Sequence, residues 1–336
     1  MIIPGPKNSI TDIPGLKVGN AEDTSVRTGV TVLLGDAPFN AVVDVRGAAP
    51  GTRDCDTLRG PGMGLPVEAI TLSGGSIYGL DAPGGVIAHL NALGRGVAYD
   101  DGVAPLPLVP GAILYDLGNG GEKNWGDTPP YRRLGRAAAQ NAAADFALGN
   151  AGAGYGARAG AYKGGLGSAS AVTGDGITVG ALVAVNAVGS PIIPGTDCFW
   201  AHLFEQNGEF GGRRPDGRQI ELDLPNDLKS SPAIAANTTI AIVATDAALS
   251  RNALQQLAVM ATDGFAHALR PVHTPFDGDL VFAVTTGAKP VAESEANAVL
   301  RLGMIAADTL ARAIARGVYE AQTLAHLTSY RDRFGV

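Results

Sequence analysis

Charged residues, aromatic residues and cysteines are all scarce in this chain. Only 17% of its 336 residues are charged, against about 25% in ordinary globular proteins. No segment combines clustered Lys and Arg with aromatic side chains, and the net charge is −7, so we expect no nucleic acid partner. The two cysteines, Cys55 and Cys198, are too few for a disulfide framework or a zinc knuckle and fit a reducing compartment.

Long apolar runs are missing too. Residues 1–20 contain no basic segment followed by an apolar one, and no stretch approaches the ~18 uninterrupted apolar residues of a membrane span. The sequence therefore predicts a soluble, cytoplasmic protein with no membrane partner. Because 46% of the residues are hydrophobic, we expect an ordered chain with a sizeable core.

Several common catalytic motifs are absent. We find no G-x-S-x-G, H-E-x-x-H or P-loop pattern, and the glycine-rich stretch 149–160 does not match G-x-G-x-x-G. Arg213, Arg214 and Arg218 lie among Gly and Pro, which favours a solvated loop over an anion site. The histidines lack metal-ligand spacing, and we interpret each as structural: His89, His202, His267, His273 and His326. Neither a cofactor nor a metal is predicted.

Glycine and proline are abundant, with 47 and 21 residues, and they separate short β-branched runs. These runs predict strands at 29–34, 41–45, 67–72, 113–117, 177–185, 238–245 and 280–285. Apolar spacing predicts helices at 76–93 and 132–148, a helix capped by Ser250 that reaches Phe265, and a last helix whose apolar face contains Leu300, Met304, Ala307, Ala311, Ile314 and Val318. The polar segment 205–236 predicts a long exposed loop.

Helices as apolar as these need a sheet to cover. Two sheets with helices on their outer faces would use all of the predicted elements, whereas a doubly wound Rossmann sheet requires a more regular alternation of strands and helices. The pattern therefore favours a layered α/β sandwich.

Asn237, Thr238 and Thr239 open the strand that follows the polar loop. By themselves they are ordinary strand formers. If the bond before Thr238 were cleaved, its free α-amino group, which ordinarily titrates near ~7.7–8.0, could accept the proton of its own hydroxyl. Asp277 and Asp279 lie two positions apart just before the last strand, on a turn or on one face of an extended segment.

Seven ordered blocks resemble the N-terminal-nucleophile amidases that include the β-peptidyl and D-amino-acid aminopeptidases and the nylon-oligomer endohydrolases. The blocks are ITDIPGLKVG (10–19), LSGGSIYGLDAPGGV (72–86), VPGAILYDLG (109–118), YKGGLGSAS (162–170), VAVNAVG (183–189), NTTIAIVATDA (237–247) and FDGDLVFAVTTG (276–287). The resemblance spans nearly the whole chain. It implies a four-layer α-β-β-α sandwich, formed as one hydrolase domain over residues 1–336. It also implies self-cleavage into an α-chain, 1–237, and a β-chain, 238–336.

The resemblance assigns roles to individual residues. Thr238 matches the nucleophile, and Asn186 matches the amide that stabilises the oxyanion, a contact that contributes ~3–4 kcal/mol in a dry site. Lys163 matches the active-site lysine, whose positive charge would lower the pKa of the free amine. The alternatives are a turn-capping asparagine and a solvated surface lysine.

Tyr115 and the two aspartates also have counterparts in the family. Tyr115 matches a tyrosine that hydrogen-bonds the tetrahedral intermediate, or it is a core residue. Asp277 and Asp279 match the acidic pair expected to orient the Thr238 hydroxyl, or they only form a turn. Aminopeptidases of the family mostly use serine with a Ser-x-Glu pair, so threonine with paired aspartates looks more like the nylon-oligomer branch.

We therefore expect a self-processing amide hydrolase acting on small peptide-like amides or aminohexanoate oligomers. One alternative is an aminopeptidase for β- or D-amino-acid peptides and amides, and another is an acyltransferase, as in the ornithine acetyltransferases of the same fold. A ligand-binding protein on an inactive scaffold is expected only if the 237–238 bond stays intact. The resemblance also implies a symmetric dimer or tetramer of αβ units.

Overall fold

The structure is a computed structural model and describes residues 2–60, 64–217, 226–229 and 237–336. Its strands are β1 Leu16–Asp23, β2 Thr28–Val45, β3 Thr52–Arg53, β4 Val67–Ser73, β5 Gly111–Ile113, β6 Arg158–Ala159, β7 Tyr162–Lys163, β8 Gly165–Val172, β9 Thr178–Asn186, β10 Thr238–Ala247 and β11 Leu280–Lys289. Its α-helices are α1 Ala82–Ala92, α2 Tyr131–Gln140, α3 Arg251–Ala261, α4 Asp263–Ala268, α5 Glu295–Tyr319 and α6 Tyr330–Phe334.

The 18-residue strand β2 connects two sheets. Its first half pairs antiparallel with β1 on one side and with β4 on the other, and its last six residues pair antiparallel with β11. The first sheet continues from β4 to β5 and β3. The second sheet runs from β2 through β11, β10 and β9 to β8, and β10 and β11 are its parallel pair.

Alternate residues of each strand enter different hydrophobic cores. In β10, Ile240 and Ile242 pack between the two sheets, whereas Ala241 and Val243 pack beneath α3 and α5. A third core lies between the first sheet and helices α1 and α2. The layers are therefore helix, sheet, sheet and helix, which is the predicted sandwich. Both faces of β9 and β10 are covered, so every residue of the two strands is buried and most of them are apolar.

Helix α5 lies unusually close to the second sheet. A Cβ atom at Gly167 would lie 1.9 Å from the main-chain oxygen of Ala313, and one at Gly165 would lie 2.1 Å from that of Gly317. Part of the high glycine content thus serves close packing of helix on strand. No helix in the described ranges is long and apolar enough to cross a membrane.

Three of the predicted strands differ from the structure. The runs 29–34 and 41–45 belong to the one continuous strand β2. The run 113–117 is wrong, because β5 ends at Ile113. Beyond it, Asp116 turns inward and accepts hydrogen bonds from the Thr28 hydroxyl at 2.7 Å and the Gly75 N–H at 2.8 Å.

The helix predictions were right in kind but not in extent. The segment predicted at 76–93 starts as a 3₁₀ turn before α1, the second helix stops at Gln140, and Phe265 belongs to the separate helix α4. Ser250 caps α3, accepting from the Ala253 N–H. The predicted face of α5 is wrong at Leu300 and Met304, which are 67% and 51% exposed. The middle of α5 is buried on nearly all sides, so no single apolar stripe describes the helix.

The predicted exposed loop 205–236 lies partly outside the described residues, which omit 218–225 and 230–236, including Arg218. Residues 205–217 and 226–229 contain no helix or strand. The described part is not simply exposed. The buried carboxylate of Glu205 accepts from the N–H groups of Phe210 and Gly212 and from Arg214 Nη1 at 2.6 Å, and Phe210 packs into the core.

Candidate active site

Thr238 and Asn186 lie directly opposite each other in the antiparallel ladder between β10 and β9. Thr238 is the first residue of its strand, and Asn186 is the last residue of its own. Because side chains alternate along a strand, Thr238 lies on the same face as Ile240, and Asn186 lies on the same face as Leu182. The side chains of Ile240 and Leu182 fill the space between the sheets. The apolar layer therefore ends in a hydroxyl and an amide, which are 2% and 1% exposed.

The Thr238 hydroxyl lies against the peptide bond that precedes it. Thr238 Oγ1 donates to the carbonyl oxygen of Asn237, and the N–H of Gly278 donates to the same oxygen at 3.1 Å. A Cβ atom at Gly278 would lie 2.5 Å from the carbonyl oxygen of Ala49 and 2.9 Å from Thr238 Oγ1. Only glycine fits there without displacing a neighbour.

The side chain of Asn237 is fully buried. Neither its oxygen nor its nitrogen has a hydrogen-bond partner within the described ranges. A buried amide without partners costs ~1–3 kcal/mol. Burial of the Asn237 side chain is therefore unfavourable while the chain is continuous.

Three hydrogen bonds orient the side-chain amide of Asn186. Its Oδ1 accepts from the N–H of Arg158 at 3.0 Å and from Lys229 Nζ at 3.2 Å. Its Nδ2 donates to the main-chain oxygen of Tyr115 at 3.0 Å. Two donors on one atom identify that atom as the oxygen. The second N–H of Nδ2 has no partner in the described part of the chain and is available to a ligand.

Asp277 is buried in the turn that leads into β11, next to Asn237, with which it forms a parallel β-bridge. Its carboxylate accepts from the Val188 N–H at 3.2 Å, the Thr274 N–H at 3.1 Å and the Thr274 hydroxyl at 2.5 Å. Burial, and then the neighbouring Asp279, raise the pKa of Asp277. This carboxyl is therefore easier to protonate than an exposed one.

Asp279 holds the strand that begins with Thr238. Its Oδ1 accepts from the Thr239 N–H at 2.7 Å, while its Oδ2 accepts from the His273 N–H at 3.1 Å and lies 2.9 Å from His273 Nδ1. Within the described ranges, the hydrogen bonds of both aspartates go to groups other than the Thr238 hydroxyl. In the continuous chain the Asp279 carboxylate thus holds the residue after Thr238, whereas the Asp277 carboxylate holds Val188 and Thr274.

Lys163 is fully buried at the end of β7. Its Nζ donates to the carbonyl oxygens of Gly154 at 2.9 Å and Gly164 at 2.7 Å. Burial lowers the pKa of Lys163 to about 7, and the charge of Asp116 opposes part of this shift. Lys163 is therefore not a solvated surface lysine, which was the alternative interpretation, and its pKa lies near neutral pH.

A cavity of about 80 Å³ opens beside Asn186. Tyr115, Asp116, Arg158 and Lys229 contribute to its walls. Burial, followed by the charge of Arg158, lowers the pKa of Lys229 to about 7, against the opposing effects of Asp277 and Asp116. Tyr115 is thus a half-buried residue of the cavity rather than a core residue.

Sequence reasoning missed four residues at this site: Asp116, Arg158, Lys229 and His273. Arg158 and Asp116 lie within or beside blocks that carried the resemblance, but no local pattern marks their contacts. Lys229 lay in a segment predicted to be an exposed loop. In the described ranges no group of three or more His, Cys, Asp or Glu side chains is arranged to hold a metal ion.

Residues 8–330 match the family model of peptidase family S58. The chain belongs to peptidase family S58. This confirms the resemblance carried by the seven sequence blocks. Membership in family S58 makes the chain an amide-bond hydrolase.

Two curated relatives illustrate the range of names in S58. An uncharacterized aminopeptidase of Mycobacterium tuberculosis is 44% identical over 348 residues, which cover 97% of this chain and 98% of the relative. The 6-aminohexanoate-oligomer endohydrolase of Kocuria sp. is 32% identical over 282 residues, covering 82% of this chain and 74% of that enzyme.

Solved structures share the fold of this S58 chain. A Burkholderia sp. β-aminopeptidase matches with a TM-score of 0.68 and 22% identity, covering 96% of this chain and 89% of that one. The L-aminopeptidase D-Ala-esterase/amidase of Ochrobactrum anthropi, described as a variant of the Ntn hydrolase fold, matches with a TM-score of 0.69 and 20% identity over 99% and 96% of the two chains. The four-layer sandwich is thus of the Ntn hydrolase type.

Proposed function

We propose that this protein is a self-processing amide hydrolase in which Thr238 is the nucleophile, first toward its own chain and then toward a substrate. The main support is the contact of the Thr238 hydroxyl with the carbonyl of Asn237, to which the Gly278 N–H also donates. This arrangement brings a hydroxyl and an oxyanion donor to the same peptide carbonyl, as acyl transfer requires.

Self-cleavage would begin with attack of Thr238 Oγ1 on the carbonyl carbon of Asn237. The Gly278 N–H then stabilises the oxyanion, the bond to the Thr238 nitrogen breaks, and the hydroxyl proton ends on that nitrogen. The product is an ester between the two residues. Water adds to the ester carbonyl, the bond to Oγ1 breaks, and Oγ1 regains a proton. An Asn237 carboxylate and a free Thr238 amine result.

The buried side chain of Asn237 favours this step. Its amide lacks partners in the described part of the continuous chain, and a chain end released by cleavage can turn it into water. Burial of Thr238 itself is unaffected, because Asp279 anchors the next residue through the Thr239 N–H. Cleavage therefore relieves the unfavourable burial of the Asn237 amide, while Thr238 stays in place.

Substrate hydrolysis would use the new amine as the base. The amine accepts the Thr238 hydroxyl proton as Oγ1 attacks the substrate amide, and the free N–H of Asn186 Nδ2 stabilises the oxyanion. The amine part of the substrate then leaves with the proton that the Thr238 amine had accepted. Water hydrolyses the remaining acyl-enzyme. Lys163, while protonated, lowers the pKa of the amine and keeps it available as a base.

We propose small peptide-like amides or aminohexanoate oligomers as substrates, supported by Thr238 with paired aspartates and by the Kocuria relative. Aminopeptidase activity on β- or D-amino-acid peptides is the second candidate, favoured by the name of the mycobacterial relative. A hydrolysis screen of β-dipeptides, D-amino-acid amides and aminohexanoate oligomers separates the two. Adding an amine acceptor to the same assay detects acyl transfer.

Denaturing electrophoresis tests the central step. Wild-type protein should separate into fragments of 237 and 99 residues, since 336 − 237 = 99. Thr238→Val should leave one uncut, inactive chain, and Thr238→Ser should retain part of both cleavage and activity. Thr239→Val is the matched control, because the adjacent Thr239 hydroxyl is buried without a partner in the described ranges, and this variant should still be cut. Cleavage of Thr238→Val would refute the proposal.

A further inference from the structure

The cavity beside Asn186 is lined by more basic than acidic side chains. Its walls include Arg158, Lys229 and His326 and one carboxylate, that of Asp116. Lys229 Nζ lies 3.2 Å from Asn186 Oδ1, so a cation reaches the amide proposed to stabilise the oxyanion. The charge balance of this cavity therefore bears directly on which substrates fit.

Arg158 has no carboxylate partner among the ion pairs of the described residues. Its Nε donates to the main-chain oxygen of Gly160 at 2.8 Å, and its main-chain N–H donates to Asn186. Burial lowers the pKa of the Arg158 guanidinium, and Arg158 in turn lowers that of Lys229. A half-buried guanidinium near a second cation, with its two terminal nitrogens uncommitted in the described part of the chain, is a binding group for an anion.

Asp116 and Asp277, the two carboxylates whose charges act on Lys229, form their hydrogen bonds to other groups in the described ranges. Asp116 is directed to the Thr28 hydroxyl and the Gly75 N–H, and burial raises its pKa. Asp277 is directed to Val188 and Thr274, and its pKa is raised as well. Both carboxylates accept hydrogen bonds from the protein, and burial makes both easier to protonate than an exposed carboxylate.

We propose that Arg158, together with Lys229, forms a subsite for a carboxylate of the substrate next to Asn186, so that the preferred substrates are amides that also carry a free carboxylate. This inference rests on the proposed function, because it places the subsite beside the proposed oxyanion donor. A cavity of about 80 Å³ has room for a small polar group in place of a few waters. The planar guanidinium can bind both oxygens of a carboxylate.

Binding measurements on purified protein test the subsite without turnover. Titration calorimetry compares 6-aminohexanoate with 6-aminohexanamide, which has the same length but no carboxylate. Wild-type protein should bind the carboxylate at least tenfold more tightly, and Arg158→Gln should lose most of that preference. Arg136→Gln, which removes the same charge from an exposed position on α2, should keep the preference. Electrophoresis of each variant shows by its cleavage whether it has folded.

A kinetic measurement adds a second criterion. For an oligoamide that the enzyme hydrolyses, the ratio of kcat/KM between the free acid and its C-terminal amide should fall at least tenfold in Arg158→Gln. Equal binding of the two probes by wild-type protein, binding of neither, or a preference retained by Arg158→Gln would overturn the subsite. Wild-type protein that binds the carboxylate but hydrolyses no amide would contradict the proposed function and leave the subsite standing.

Discussion

Thr238 and Asn186 are opposed across the β9–β10 ladder, at the end where both strands leave the space between the sheets. Their side chains share a face because of the pairing register. A slip of one residue would turn the hydroxyl toward the layer of α5 and bring Thr239 into its place. The neighbouring buried apolar residues on the same face of both strands hold this register, as in the pair of Ile240 and Ala184. The core of the sandwich thus places the Thr238 hydroxyl and the Asn186 amide on the same face.

Removing the Asn186 amide should reduce catalysis strongly. In the cleaved protein we expect Asn186→Ala to lower kcat by ~10²–10³-fold, the usual effect of losing one oxyanion donor. Asn186→Asp should lose at least as much, because a carboxylate would repel the oxyanion. Steady-state kinetics against the exposed control Asn40→Ala provides the measurement. A decrease in kcat of less than threefold would argue against the proposed role.

Gly278 should be essential for self-cleavage. Gly278→Ala places a Cβ atom 2.5 Å from the oxygen of Ala49 and 2.9 Å from Thr238 Oγ1, which displaces the hydroxyl from the carbonyl of Asn237. We expect cleavage at least tenfold slower, measured by electrophoresis over time. The control is Gly84→Ala, where the new Cβ meets only the flexible end of Arg132 at 2.8 Å. Equal cleavage rates in both variants would contradict this prediction.

The pH dependence of activity distinguishes an amine base from a carboxylate base. Activity should rise with pH through one ionisation near the ~7.7–8.0 of an unperturbed α-amine. Lys163 has a pKa of about 7 and has lost most of its charge where the amine titrates, so Lys163→Met should move this limb to higher pH only slightly. Asp279→Asn should move it to lower pH. The exposed Lys17→Met should leave it in place. An acidic limb near ~4, the range of a free carboxyl group, would show that the base is an aspartate.

The two buried lysines should also make stability depend on pH. Lys163 and Lys229 have pKa values of about 7 in the folded protein, against about 10.4 in an unfolded chain. Between these values the unfolded chain binds more protons, so the free energy of unfolding should increase with pH, by up to ~1.4 kcal/mol per pH unit for each lysine. Burial raises the pKa of Cys55 to about 11, which has the opposite effect at alkaline pH. The contribution of the two lysines to the free energy of unfolding is therefore best measured between about pH 7 and 8.5, below the range in which Cys55 opposes it.

Denaturant unfolding of the Thr238→Val chain, which we expect to stay uncut, measures this slope. Adding Lys163→Met should remove about half of the increase between pH 7 and 8.5, since one of two lysines with equal shifts is gone. Adding Lys17→Met should leave the slope unchanged, because Lys17 is well exposed. A slope that is the same in all three proteins would mean that Lys163 keeps its charge in the folded state.

The exposed apolar residues of α5 should form a contact between αβ units. Leu300 and Met304 are one helical turn apart, so they share a face. We expect a symmetric dimer or tetramer of αβ units in sedimentation velocity at micromolar concentration. Replacing both residues with Asp should lower the mass to one αβ unit. A wild-type mass of one αβ unit would contradict the prediction.

The elements of the fold follow from local sequence, because the contacts that form them are local. The β-branched runs at 67–72, 177–185 and 280–285 became strands, since alternate residues reach two apolar layers. The cap at Ser250 needed only a neighbouring N–H. The faces of α5 could not be predicted this way. Which of its sides is buried depends on packing against α3, α4 and β8, residues distant in sequence.

The sequence by itself determined the layered sandwich, the family and six candidate residues, because these depend on residue type, order and spacing. Only the tertiary structure decided how those residues meet. The Asn186 amide is oriented by Arg158, Lys229 and Tyr115, and burial brings the pKa of Lys163 to about 7. Hydrogen bonds between segments far apart in the chain and loss of water around a charge arise only when the layers close, so no local pattern records them.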